Sequence, residues 1–517
     1  MSAQATFSRE RVLRRFRSLE NVAACGPLAI ASVAVGGIAI GFFLWYASLA
    51  RLPSVRGASE IALLCSLLFG LLVAFAGWDG YGHYFARRAG IAPVTALRYD
   101  AGSWFAFAIA AAGLVTPLHV ASPSRAAALA VGLFALVKLG VATRFVHTVR
   151  DVLVTFVVSR GSIIVVAELA SIVIAQRPGV HVAESHNPLL AVWGRWDAVH
   201  YIDIAQRGYY GTDMAFFPLY PLLIALVGRV LGNHLIAGLL ISNVALFFGL
   251  LFFYKLVEHQ FTRSVAHRAI FYVSIFPTAI FFSAVYTESL FFALTVASFY
   301  YIREHKWLTA GIIGAFAALT RVEGVLLFVP YAIEVFAAAG NGRSWDRVLA
   351  PPQRLLRIAL GAAAIPSGLG AYMAMLWVLR GDPLYFSHVQ AHWDRHLAPP
   401  WFSVYRAARA IVTQHSSVLV AGQAIELVFT VLMIAVLVAG LRRLPPSFSA
   451  YMALSVVVPM STSSLMSMPR FALVLFPMFA ILALWGGWPW VNNVIVAFSL
   501  PLLGLFTVLF AAWYWVA

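Results

Sequence analysis

WGRWDAVHYIDIAQRGYYGTDMAFFPLYP, residues 193–221, is the one long polar and aromatic interval in a chain that is otherwise a string of apolar segments. It holds Asp197, His200, Asp203 and Asp213 among Trp193, Trp196, Tyr201, Tyr209 and Tyr210. Carboxylates gathered beside aromatic rings between apolar runs read as a functional loop at a membrane surface.

The rest of the chain supports a membrane setting. Of 517 residues, 62% are hydrophobic and 11% charged, and the mean hydropathy is +0.86, whereas soluble domains carry about 25% charged residues. The sequence predicts an all-α polytopic membrane protein. A net charge of +16 would suggest nucleic acid in a soluble chain. Here the basic residues fit cytoplasmic membrane edges and anionic lipid, so membrane lipid is an expected partner and nucleic acid is not. Cys25 and Cys65 both fall at or in apolar segments, which supports neither a disulfide framework nor a thiolate metal site. The basic N-terminus has no cleavage site before its apolar run, and that run is long enough to span.

Apolar runs fall near 27–49, 58–77, 102–121, 126–143, 152–175, 234–257, 269–284, 288–302, 307–320, 323–339, 358–379, 416–440, 447–464, 471–488 and 492–516, about fifteen spans. Placing Arg9, Arg11, Arg14, Arg15 and Arg17 in the cytoplasm puts later basic loops, such as Arg263 with Arg268, Arg303 with Lys306, and Arg442 with Arg443, on the same side. The alternation holds only if 215–231 does not cross, so this stretch is expected to be an interfacial helix. A boundary near residue 150 separates four N-terminal spans (1–150) from a core of 151–517. The outer face then receives the loops 176–214 and 380–415 and the turns Tyr286 to Glu288, Arg321 to Glu323, and Met468 to Arg470.

Two readings compete at each of these residues. In a helix starting after Trp196, Asp197 and His200 share a face. Asp197 then serves either as a general base toward a sugar hydroxyl or as a cap of that helix. Arg321 suits a phosphate at the membrane boundary, or pairs with Glu288 or Glu323 to lock helices. Arg470, delivered by Pro469, is a snorkelling anchor or a second functional cation. His388 and His392 could hold a metal if helical. Contacts to substrate from His392 and Trp393 are the preferred reading, with no metal and no cofactor expected. Trp196 and Tyr201 offer stacking surfaces for sugar rings, and His200 could orient substrate.

Four ordered motifs carry a resemblance. RWDAVHYIDIAQRGY with AFFPLYPLL, IFPTAIFFSAVYTESLFFAL, ALTRVEGVLLFVP and SMPRFALVLFP, over roughly 150–490, are similar to the PIG-V type mannosyltransferases and their prokaryotic relatives. The resemblance implies the GT-C glycosyltransferase fold with extra N-terminal spans. It also implies an inverting mannosyltransferase whose active site lies on the extracytoplasmic side, in a bacterial plasma membrane for a prokaryotic relative. The implied donor is dolichyl or polyprenyl phosphate mannose, and the acceptor a glycolipid or glycan. Asp197 falls on the catalytic acidic position, Glu288 on the family's Tyr-x-Glu-Ser, Arg321 on its Thr-Arg and Arg470 on its Pro-Arg, so that Arg321 and Arg470 would hold the donor phosphate. Val322-Glu323 replaces the Ser-Asn expected after that arginine and adds a carboxylate beside the donor. The same fold could use another polyprenyl-phosphate sugar. A lipid or solute transporter fits less well, because transporters place ionisable groups near the bilayer midplane in paired repeats.

Overall fold

The structure, a computed structural model, describes residues 146–175, 177, 188–340 and 352–516. The chain divides into two compact units, Met1–Val149 with Val230–Gly232, and Arg150–Arg229 with Asn233–Ala517. Nearly all of the described residues belong to the second unit. The four expected N-terminal spans, Cys25, Cys65 and the basic residues from Arg9 to Arg17 lie outside the described residues, as do 178–187 of the first outer loop.

The described residues are helical, and the protein is an all-α integral membrane protein. In chain order the principal helices are α1 (Val146–Val173), α2 (Asp197–Arg207), α3 (Leu219–Leu231), α4 (His234–Gln260), α5 (Arg263–Ser274), α6 (Glu288–Arg303), α7 (Trp307–Thr320) and α8 (Phe328–Ala338). They continue as α9 (Pro352–Arg380), α10 (Pro400–Thr413), α11 (Ser417–Gly440), α12 (Pro446–Met460), α13 (Met468–Val474), α14 (Phe476–Trp485) and α15 (Pro489–Ala511).

Fewer helices cross alone than the apolar runs suggested. Among the described residues five are long and apolar enough, within α1, α4, α9, α11 and α15, or six if the bent pair α13–α14 is one span. The others are short for physical reasons. The run at 269–284 breaks after Ser274, where Pro277 can donate no hydrogen bond, and resumes as a 3-10 turn over Ala279–Phe282. Arg160 of α1 reaches into this break and donates to the freed carbonyls of Ser274 (2.7 Å) and Ala279 (2.8 Å). A buried guanidinium with no carboxylate partner among the described residues is thereby satisfied by main-chain oxygens. The run at 471–488 bends by 74° between α13 and α14, with Pro477 in the first turn after the bend. The 13 residues of α3 extend about 20 Å, too short to cross a core of about 30 Å.

Close helix contact organises the centre. α7 packs on α9 through small residues: a Cβ at Gly311 would meet the Gly361 carbonyl oxygen at 2.1 Å, and one at Gly361 would meet Trp307 O at 2.4 Å. Without side chains the two backbones approach closely, the usual device where lipid gives no hydrophobic drive to associate. The remaining core is aromatic, with Phe276, Phe299, Phe448, Tyr451, Phe476 and Phe479 in edge-on and stacked contacts. The short helices matter most for function, since α6 starts at Glu288, α7 stops just before Arg321 and α13 starts two residues before Arg470. Their ends leave room for a cavity.

Candidate active site

That cavity has a volume of about 1120 Å³ and draws its walls from six separate stretches: 196–217, Thr287, 320–323, 386–397, 458–471 and 513–515. Its charged wall is a ladder of ion pairs. Arg470 Nη1 donates to Asp197 Oδ2 at 2.6 Å, and its Nε donates to Glu288 Oε1 at 2.8 Å. Arg321 Nη1 donates to the same Glu288 oxygen at 3.0 Å, and its Nε reaches Glu323 Oε2 at 3.5 Å. Both guanidiniums lie over aromatic rings, Arg470 above Tyr286 and Phe281, Arg321 beside Phe291 and Phe471. The faces of these rings attract cations, which offsets part of the cost of drawing charge out of water. Among the described residues, no hydrogen bond is formed by Nη2 of either arginine.

Asp197 opens α2 as its first residue, but its side chain does not cap the helix. The capping alternative is therefore not realised, and the carboxylate turns to Arg470. Two features aim it. Trp196 adopts φ 58° and ψ −124°, a backbone conformation costly for a large L-residue, and its ring is held against Trp513 and Trp515 at centroid distances of 5.7 and 5.2 Å. Arg195, buried, anchors the same turn to the end of α15 by donating to Ala511 O. Below the turn, the Tyr286 hydroxyl accepts from Asp197 N (3.2 Å) and donates to Arg195 O (3.1 Å).

His200 shares the cavity face of α2, as the helical spacing predicts. Its Nδ1 donates to Asp213 Oδ1 at 2.8 Å and its ring stacks on Phe216 at 4.7 Å. Asp213 thus structures the loop and orients this imidazole, whereas Asp203 is partly exposed and, among the described residues, pairs with Arg207 at 3.8 Å. Tyr201 is buried beside Phe216 and Tyr220. Burial first, then the charges of Glu288 and Asp197, hold its phenol pKa well above the ordinary value, so it stays a neutral hydroxyl. The loop 209–217 is fastened to α9, where the Tyr372 hydroxyl donates to Met214 O (2.8 Å) and Phe216 O (3.1 Å).

The structure brings Trp196, Asp197, His200, Tyr201, Arg321, Glu323, Trp393 and Arg470 to the cavity wall. It does not place all expected residues there. Glu288 is fully buried behind the two arginines that it joins, so it supports the wall without lining it. His392 is also absent from the lining, its ring lying edge-on to Trp393. The helix assumed for His388 and His392 is a single turn, Tyr385–His388, followed by a 3-10 segment, Val389–Trp393. With three residues per turn the latter rotates His392 off the face of His388, and His388 instead pairs with Asp382 at 2.7 Å. Three groups at or behind the wall were not among the expected site residues. They are Tyr286, Arg395, which lines the cavity from the loop after α9, and Glu426 of α11. Buried Glu426 accepts from the backbone N–H groups of Ser467 (2.9 Å) and Met468 (2.8 Å) and so fixes the turn, with Ser467 at φ 73°, that launches Arg470. Its signal was present as the one acidic residue inside the apolar run 416–440.

The chain is similar to two proteins named GPI mannosyltransferase 2, from Cryptococcus neoformans var. neoformans serotype D strains JEC21 and B-3501A. Each is 28% identical over 166 residues, covering 29% of this chain and 38% of the relative. The match thus spans well under half the length of those relatives. No solved structure matches the chain. The sequence profile of the mannosyltransferase (PIG-V) family covers residues 134–336, a stretch that includes Asp197, Glu288, Arg321 and Glu323 but ends before Trp393 and Arg470. Over residues 134–336 the chain is thus similar to the mannosyltransferase (PIG-V) family.

Proposed function

We propose that the protein is an integral membrane mannosyltransferase that moves mannose from polyprenyl or dolichyl phosphate mannose to a hydroxyl of a glycolipid or glycan acceptor, with inversion at the anomeric carbon. The observation that carries the reading is the ladder Asp197–Arg470–Glu288–Arg321–Glu323 set along an aromatic-walled cavity. A lipid phosphate sugar already carries a leaving group, so the site needs a base for the acceptor hydroxyl and cations for the departing phosphate.

Asp197 is the base. Its carboxylate takes the acceptor proton as the acceptor oxygen bonds to the anomeric carbon, and the bond from that carbon to the phosphate oxygen breaks with its electron pair leaving on the phosphate. Arg470 and Arg321 receive that charge through the Nη2 groups left out of the ladder. Each such preorganised donor is worth about 3–4 kcal/mol in a partly dry site. The two roles are coupled through Arg470. A phosphate drawn to its guanidinium competes with Asp197 for the same cation, and so frees the carboxylate oxygen of a 2.6 Å ion pair to face the acceptor hydroxyl. Trp196, Tyr201 and Trp393 supply stacking faces for the sugars. His200, fixed by Asp213, presents its other ring nitrogen for a sugar hydroxyl.

Sidedness follows from charge along the helices. Glu288 and Arg303 lie at opposite ends of α6, and Lys306 precedes α7 while Arg321 follows it. The basic ends point away from the cavity ends, which favours a cavity opening on the extracytoplasmic side. The 13-residue α3 then suits an interfacial helix flanking the route of the polyprenyl chain, and the whole arrangement fits the GT-C plan. The test is transfer of labelled mannose by the protein in vesicles, from polyprenyl phosphate mannose and, in parallel, from a nucleotide-linked mannose. Transfer from the lipid donor alone is expected, and Arg321→Gln is expected to raise the KM for donor more than for acceptor. Absence of transfer from the lipid donor, or equal use of the nucleotide sugar, would remove the reading.

A further inference from the structure

Three arginines reach the cavity wall, and they differ in what neutralises them. Arg321 and Arg470 are each paired with two carboxylates. Arg395 is not: among the described residues no carboxylate lies within ion-pair distance. Its guanidinium donates through Nη2 to the Met466 carbonyl, and its Nε is buried with no hydrogen-bond partner. The charges that it feels from further away are Arg470, Glu426, Glu323 and Asp197. Burial first, and then the repulsion of Arg470, holds its pKa below the ordinary arginine value in spite of those acids. A cation half withdrawn from water, short of both a counter-ion and a donor contact, is a costly arrangement.

The local backbone holds it in place nonetheless. Asp394 adopts φ 55° in the left-handed region, which turns the chain so that Arg395 points inward. Its neighbours are then tied to the segment after α12. Ser463 N donates to His396 O at 2.8 Å, Ser463 Oγ donates to Asp394 O at 2.8 Å, Ala398 N donates to Ser461 O at 3.1 Å, and Leu397 bridges Thr462. Asp394 is paired on its outer side with Arg406. A loop braced on both flanks around an unneutralised guanidinium is preorganised for an anion that it does not yet hold.

We infer that Arg395 is a third phosphate-binding cation of this site, the one whose counter-ion arrives with the substrate as the phosphodiester anion of the lipid donor. This rests on the lipid-phosphate reading above and deepens it, because Arg321 and Arg470 must share themselves between phosphate and ladder while Arg395 has its whole charge to give. Arg395 also faces Arg470 closely enough for the two to repel, so an anion between them relieves both. The same contact holds the lipid phosphate after the sugar has left.

The test measures binding of polyprenyl monophosphate, neutral polyprenol and inorganic phosphate to the full-length protein in neutral-lipid nanodiscs. The wild-type protein is expected to bind polyprenyl phosphate and not polyprenol. Arg395→Gln is expected to weaken that binding roughly 10- to 100-fold, the loss of one charge-assisted contact, with Arg395→Lys weakening it less and the KM for acceptor unchanged in both. Displacement of the lipid by inorganic phosphate would assign the contact to the phosphate group itself; binding without such displacement would assign it to a phosphate presented on lipid. Either supports the inference. Polyprenyl phosphate binding by Arg395→Gln within twofold of wild type would overturn it. If that variant does not accumulate, Arg395→Lys decides: a loss of roughly 3- to 10-fold is expected, and unchanged binding refutes the inference. Failure of the wild-type protein to bind polyprenyl phosphate at all would instead strike the donor reading itself.

Discussion

Replacing Glu288 by Gln tests whether the ladder is one coupled unit. Glu288 is fully buried, and its Oε1 alone accepts from both Arg470 and Arg321, at 2.8 and 3.0 Å. Gln keeps the shape and an acceptor oxygen but removes the charge that lies between two cations. Each close pair contributes on the order of 4 kcal/mol of attraction at an effective dielectric constant near 20, much of it offset by the cost of dehydrating the charges. Breaking a buried pair costs a net 3–5 kcal/mol or so. Asp197 and Glu323 remain at the two ends of the ladder, so the low end applies: about 3 kcal/mol, or roughly 5 °C in the thermal midpoint of a unit this large. Asp197→Asn is the internal comparison. That side chain is 23% exposed and loses one pair rather than two, so its stability cost should be less than half as large. Thermal unfolding of both purified variants in the same detergent gives the ranking. A midpoint for Glu288→Gln equal to wild type, or a greater loss in Asp197→Asn, would refute the coupling.

Further outcomes follow from the fold and the outer loop. Gly361→Ala should lower stability by about 1–3 kcal/mol, since its Cβ would meet Trp307 O at 2.4 Å and Tyr331 Oη at 2.5 Å. Gly370→Ala, where nothing lies within 4 Å, should leave the midpoint within error, and equal effects of the two would contradict the packing account. In the outer loop, the His388 hydrogen bond lowers the pKa of Asp382, and the Arg406 hydrogen bond lowers that of Asp394, from an ordinary 3.8. A depressed carboxylate pKa contributes stability that is present above the unfolded value and lost as pH falls through the folded one. Protection of the 382–406 amides, taken relative to the intrinsic exchange rate at each pH, should therefore be highest near neutrality and fall as pH falls from about 5 to 3. Protection that instead falls with increasing pH would oppose these pairings.

Much of the site was legible because an ionised group beside an apolar run is costly and rarely idle. Asp197, Arg321, Arg470 and Glu323 stood out for that reason. The helix after Trp196 and the bounds of α7 followed from spacing and composition. Sequence could not show that Glu288 would sit behind Arg321 and Arg470, since that contact joins residues 182 positions apart. Nor could it separate the two readings of Arg321. The structure shows the locking ion pair formed, and the proposed phosphate contact uses the nitrogen that the lock leaves over. Broken runs were harder to read, because an apolar stretch containing Pro277 or Pro477 has the hydropathy of a continuous span. His392 lies off the cavity lining because a 3-10 segment carries it, which its local sequence does not distinguish from a continued helix. Arg395 was passed over because, in sequence, it is one basic residue of HWDRH in an exposed loop, and only the fold removes its counter-ions.

The central claim is that Asp197 is the base of a lipid-phosphate mannosyl transfer. The most direct measurement is single-turnover transfer from polyprenyl phosphate mannose by Asp197→Asn in vesicles where the variant accumulates and still binds the donor. Turnover is expected to slow roughly 10²- to 10⁴-fold, with donor binding and thermal midpoint near wild type. Transfer at the wild-type rate would contradict the claim.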